Sequence, residues 1–208
     1  MCGRFTLRTP APVLIEHFRI EGQLELFPRM NICPTEDVLV IRNQNGVRKA
    51  TNIRWGLVPS WADDIKIGAR MINARCETVA DKPAFSAAIR TRRCLIPADG
   101  FYEWKTQGKK KTRFWIRRPD ETLFAFAGLW DRWSKQGVPI ESCTLLTTPA
   151  NDLIAPVHDR MPVVLSPSDY ATWLDPATSD PAALGYLFEP LPADELTMTE
   201  STGPLEKH

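Results

Sequence analysis

The sequence predicts an α+β protein, with a mixed, mostly antiparallel β core, a barrel-like centre and short peripheral helices. Three observations lead there. Strand-like segments dominate the middle of the chain, the helical segments are short, and the two do not alternate as a doubly wound parallel sheet requires. The 208 residues suit one compact unit that buries a core without disulfide or metal staples. A single domain over residues 1–208 is therefore expected, with an irregular tail over 190–208.

In chain order, the first helix is expected over Ala11–Phe18 and the second over 82–90. Residues 113–117 alternate around aromatics, and 122–130 are β-rich. Residues 142–148 and 161–165 are short β-branched or leucine runs bounded by proline and polar residues, so both are expected as strands. Two more helices are expected, over 149–154 after a Thr-Pro start and over 168–174 with Ser166 or Ser168 as cap. The 18 prolines are scattered, which predicts rigid connections rather than a disordered tract.

Charge and composition exclude several classes of function. Lys plus Arg is 26 against 25 Asp plus Glu, so any nucleic-acid site must be a local patch. The longest apolar run, 123–130, is far short of the ~18 residues of a membrane span, and no membrane partner is expected. Arg4 and Arg8 lie among polar residues and no apolar stretch precedes Glu16, so no secretory signal is expected and the cytoplasm is the expected location. Five cysteines form an odd set without a C-x-x-C pair, which fits reduced thiols better than a disulfide framework or zinc site. Of three histidines His208 is terminal, leaving His17 and His158 for any imidazole chemistry.

Candidate chemistry begins at Cys2. A small second residue permits removal of Met1, leaving an α-amine of pKa ~8 and a thiol of pKa ~8.5 on one residue. Such a 1,2-aminothiol attacks an aldehyde through nitrogen to give a Schiff base. The thiol, already at high effective molarity, then closes a five-membered thiazolidine. The alternative is that Cys2 is an incidental small residue. Four further clusters bear on the choice. Arg54-Trp55-Gly56-Leu57-Val58-Pro59-Ser60-Trp61 sets two tryptophans beside Gly and Pro, either as core or in a loop where they stack on exposed bases. Asn73-Ala74-Arg75-Cys76-Glu77-Thr78 concentrates an amide, a cation and a carboxylate, as a polar turn or a binding site would. Glu103 sits between Tyr102 and Trp104, where desolvation would raise its pKa and suit it to proton transfer; on a solvated strand edge it would do neither. His158 is flanked by Asp159 and Arg160, a setting open to a structural or a catalytic histidine.

Together, Met1-Cys2-Gly3-Arg4-Phe5, Asn31-Ile32-Cys33-Pro34-Thr35, the clusters at 54–61, 73–78 and 94–104, and His158-Asp159-Arg160-Met161-Pro162 resemble the SOS response-associated peptidase (SRAP) family, also described as abasic-site-processing or abasic-site-crosslinking proteins. The resemblance runs to about Leu174. It implies a covalent trap for abasic sites in single-stranded DNA or at single-strand/double-strand junctions, formed by processed Cys2 on the ring-opened deoxyribose aldehyde. No metal or organic cofactor is implied, and a monomer is expected. On the family pattern Asn73 holds the N-terminal amine, Glu103 assists ring opening by proton transfer, and His158 helps to form and reverse the imine. Arg4 and Arg75 would bind flanking phosphates through their planar guanidinium groups, and Trp55 and Trp61 would support or wedge the bases. Cys76 departs from the pattern, standing where a small residue such as Ala or Ser is expected. Two other classes stay open. One is a cysteine peptidase that uses Cys2 with His158 and Asn73, acting on other proteins or only on its own Met1. The other is a non-catalytic single-strand binder that relies on its aromatic and arginine residues.

Overall fold

The computed structural model describes residues 2–135 and 137–205 and has the mixed, mostly antiparallel α+β architecture expected. The chain starts with β1 (Phe5–Leu7), α1 (Ala11–Phe18) and β2 (Arg29–Ile32), then makes a hairpin of β3 (Asp37–Gln44) and β4 (Val47–Trp55). The middle holds β5 (Asn73–Arg75), α2 (Ser86–Thr91), β6 (Arg93–Ala98), β7 (Gly100–Gln107), β8 (Lys110–Arg117) and β9 (Phe124–Trp133). The last third contributes β10 (Ile140–Pro149), β11 (Arg160–Pro162), β12 (Val164–Leu165), α3 (Tyr170–Leu174) and β13 (Thr197–Glu200).

One sheet closes on itself. Its strands run β10, β4, β3, β6, β9, and β9 pairs back with β10 from Ile140↔Trp133 to Leu145↔Gly128. This ring is the barrel-like centre, and closure removes the free edges that an open sheet would leave unpaired. The β3–β4 hairpin turns at Asn45-Gly46 with φ of 55° and 88°, the left-handed pair that matches strand twist and that glycine adopts at little cost. The second sheet is antiparallel in the order β13, β8, β7, β1, β2. Phenylalanines join the two: the Phe126 ring of β9 meets Phe5 at 5.7 Å and Phe101 at 6.0 Å, both edge-on.

The chain crosses between sheets at Asp99, between β6 and β7. This buried carboxylate accepts Thr6 Oγ1 at 2.6 Å and Thr9 N at 3.0 Å and pairs with Arg8 Nε at 3.3 Å, so it fixes β1 to the corner. Gly100 follows because nothing larger fits there: a Cβ would lie 2.2 Å from Trp115 Nε1.

Local signals explain α1. Pro10 is its N-cap, another proline lies in the first turn, and Leu14 and Phe18 bury one face four residues apart. Two expectations need correction. Residues 149–154 form no helix: β10 continues through Pro149, and the Asn151 side chain then closes a turn by accepting Ile154 N at 3.1 Å. The tail is not irregular throughout, because β13 pairs with the outer edge of β8 from Thr197↔Arg117 to Glu200↔Phe114. The other two helices are shorter than expected, α3 being preceded by a 3-10 turn over Pro167–Asp169. Among the described residues no helix is long and apolar enough to cross a membrane.

Candidate functional site

Cys2 lies just beyond β1, where the β1–β7 ladder continues through a hydrogen bond from Tyr102 N to Arg4 O at 2.9 Å. That register lays the start of the chain along β7 beside Glu103. Cys2 is fully buried, its Sγ donates to Arg4 O at 3.7 Å, and burial, helped by the Glu103 charge, pushes the thiol well above its ordinary range. Glu103 is 2 % exposed. Burial raises its carboxyl pKa, and the nearby His158 partly offsets that rise.

Asn73 reaches the same place from the ring. Its strand, β5, runs parallel to β10 with Leu145↔Asn73 in register, and Asn73 Nδ2 donates to Cys2 O at 2.9 Å. The amide's other end, Oδ1, is buried and has no hydrogen-bond partner among the described residues. Leaving a buried acceptor unmade costs about 1–3 kcal/mol, so this orphan marks a place where a donor belongs. His158 precedes β11, which pairs with the end of β10 through Pro149↔Arg160. Its Nδ1 lies 2.9 Å from Asp159 Oδ1 and 3.0 Å from Arg160 N, which fixes the ring plane.

A clamp that the sequence did not reveal ties two of these segments together. Arg160 pairs bidentately with Glu77, with Nη2 to Oε2 at 2.9 Å, and donates to Thr147 O at 2.6 Å. The segment carrying Asn73 is thereby bound to the one carrying His158. Asn31, 2 % exposed on β2, was also missed as a site residue: its Oδ1 accepts Arg4 Nη1 at 2.7 Å and aims that guanidinium. The only sequence signal for either was membership in the motifs at 31–35, 73–78 and 158–162. Cys76 is half-buried beside this clamp, and burial raises its thiol pKa.

The proposed DNA contacts divide. Arg75 is exposed and has no ion-pair partner among the described residues. Trp61 is 51 % exposed, and with Met71, Arg75, Phe85 and Asn73, the residue that bonds Cys2 O, it lines a cleft of about 490 Å³. Trp55 does not belong there. It is 0 % exposed, donates Nε1 to Ile72 O at 2.9 Å and packs edge-on against Phe5 at 5.2 Å. The end of β4, where it joins β10 through Cys143↔Trp55, carries this ring into the core, where it has no exposed face to stack on bases.

The model of the SOS response associated peptidase (SRAP) family matches residues 1–203. The chain belongs to the SRAP family. Among its relatives, the abasic site processing protein YoqW of Bacillus subtilis is 43% identical over 201 residues, covering 94% of this chain and 90% of that one. The abasic site processing protein YedK of Escherichia coli is 31% identical over 180 residues, covering 84% and 79%. A crystal structure of a Bordetella bronchiseptica protein superposes with a TM-score of 0.82 at 27% identity, covering 97% of this chain and 100% of that one. In this fold Asn73 touches Cys2, and Glu103 lies close enough to the Cys2 thiol and to His158 for their charges to act on one another, while Arg75 and Trp61 line the cleft that Asn73 shares. Among the described residues no cluster of metal-binding side chains exists.

Proposed function

We propose that this chain processes abasic sites in single-stranded DNA by covalent capture through Cys2. Once Met1 is removed, the Cys2 amine condenses with the open-chain deoxyribose aldehyde and releases water. The Cys2 thiol then adds across the imine: a C–S bond forms, the sulfur proton moves to nitrogen, and a thiazolidine results. The observation that carries this reading is Asn73, which holds Cys2 O through Nδ2 and leaves its buried Oδ1 unpartnered. A free amine on Cys2 supplies the donor that this oxygen lacks, and the same bond aims the nitrogen lone pair.

Glu103 supports the step before capture. Aldehyde appears only when the closed sugar opens, which requires a proton on the ring oxygen and loss of one from the hydroxyl. A buried carboxyl of raised pKa beside His158 is suited to that exchange. Arg75 and the exposed face of Trp61 offer a phosphate contact and a stacking surface at the cleft. A peptidase acting on other proteins is less well supported. It needs a thiolate that attacks first, and the Cys2 thiol is hydrogen-bonded to Arg4 O and disfavoured in its ionised form, whereas capture begins at the amine.

The test combines intact mass, which reports Met1, with denaturing electrophoresis after incubation with abasic single-stranded DNA. Wild type is expected to give a heat-stable adduct. Cys2→Ser keeps the amine but not the thiol, so its adduct is expected only when a reductant traps the imine. Equal heat-stable adduct from Cys2→Ser without reductant would overturn the thiazolidine.

A further inference from the structure

Seven of the chain's 26 cations fall within residues 100–118, where Glu103 and no other carboxylate before Asp120 is found. The remaining 19 face 24 carboxylates, so the excess positive charge is local to the β7–β8 hairpin. Strand alternation sorts these groups. Lys111 Nζ lies 5.7 Å from the Trp104 ring, Arg113 5.5 Å from Tyr102 and Arg117 4.4 Å from Trp115, so the outer face holds its cations on its own aromatic rings. On the other face lie Glu103 and, two residues further, Lys105. Lys110 shares that face, because it pairs with Gln107 across the hairpin. Lys109 stands at the tip, next to Gly108. Lys105, Lys109 and Lys110 have no ion-pair partner among the described residues.

We propose that these three lysines form a phosphate track for the DNA strand leaving the site on one side of the lesion. The inference rests on the abasic-site reading above, which places the reacting sugar at Glu103. At ~3.3 Å per strand residue the track begins ~7 Å from Glu103 and extends to ~13 Å opposite Gln107. It has one direction only, outward along the hairpin, so it reaches one flank of the strand. Free ammonium groups in such a line attract a polyanion without reading its sequence.

The experiment measures binding to single-stranded oligonucleotides that carry a stable, ring-closed abasic analogue: one short, one extended on the 5′ side and one extended on the 3′ side. Wild type should bind one extended form more tightly than the other. Combined Lys105→Gln, Lys109→Gln and Lys110→Gln should abolish that advantage, lower the salt slope by about 2 and weaken binding to the extended form by on the order of tenfold at low salt, at about 0.7 per lost phosphate contact. The triple Lys→Arg variant should restore both, which separates lost charge from a disturbed hairpin. An unchanged salt slope, or an equal loss for both extensions, overturns the track. Because the analogue cannot form an imine, failure of covalent capture leaves this result readable. Capture by wild type alongside an unchanged slope in the variant would refute the track alone.

Discussion

The two tryptophans of the 54–61 segment should behave as opposites when each is cut to alanine. Trp55 is fully buried, its indole donates to Ile72 O at 2.9 Å, and its ring packs on Phe5 at 5.2 Å. Removing it opens a cavity and orphans a carbonyl, which costs about 3–5 kcal/mol. At roughly 2–4 °C per kcal/mol for a chain of this size, Trp55→Ala should lower the melting temperature by about 6–20 °C. Trp61 is 51 % exposed, and its side chain makes one long hydrogen bond among the described residues, Nε1 to Pro83 O at 3.4 Å. Trp61→Ala should cost no more than about 0.5 kcal/mol of stability. It removes a stacking surface from the cleft, however, so binding to single-stranded DNA should weaken by ~1–3 kcal/mol, or roughly five- to 150-fold in Kd. Scanning calorimetry and fluorescence anisotropy, the latter well below both melting temperatures, measure the two effects separately. A Trp55→Ala protein that melts within about 2 °C of wild type but binds DNA poorly would refute the assignment, since so small a shift corresponds to less than about 1 kcal/mol.

Glu103→Ala should slow single-turnover capture of abasic DNA strongly, yet slow reaction with a simple aldehyde that has no ring to open much less; equal proportional losses would remove the ring-opening role. The raised Glu103 pKa also has a thermodynamic sign: the folded state holds this proton more tightly, so wild type loses stability as pH rises from the ordinary value near 4.5 through the folded one. Urea titrations should find that Glu103→Gln, which does not titrate, loses less stability over that window. Glu77 behaves in reverse. Arg160 holds its carboxyl below the ordinary 4.5, so its stabilisation is complete above that value and disappears as pH falls through the folded one. Because Glu77 is 44% exposed, Glu77→Gln should cost only about 1 kcal/mol at neutral pH and almost nothing in strong acid, and it should slow capture by loosening the join between Asn73 and His158. A capture rate equal to wild type would leave the clamp with a folding role only.

What the sequence disclosed and what it hid follow from the range of the interactions involved. Helix α1 was legible because its causes are its own: prolines at the start, and Leu14 and Phe18 one turn apart. The ends of the strand pairs were not. Pro149 after Thr148 reads as a helix start, but its partner is Arg160, eleven residues on, and β13 becomes a strand only because β8 offers it an edge. The same holds for the site. Its side chains announced themselves by chemical type, whereas Trp55 and Trp61, six residues apart in one Gly- and Pro-containing segment, were indistinguishable until the ring closed over the first of them. The joins were least visible of all: Asn73 to Cys2 spans 71 residues, Arg160 to Glu77 spans 83, and Thr6 to Asp99 spans 93. The placement of the site makes those joins necessary. Cys2 has only one side of chain to hold it if Met1 is removed, while Glu103 comes from one sheet and Asn73 and His158 from the other. The four groups, which come from four separate segments of the chain, are therefore only as well aligned as these contacts: the Asp99 corner fixes β1, the Asn73 amide holds Cys2 across the two sheets, and the Arg160 clamp binds the Asn73 and His158 segments within one sheet.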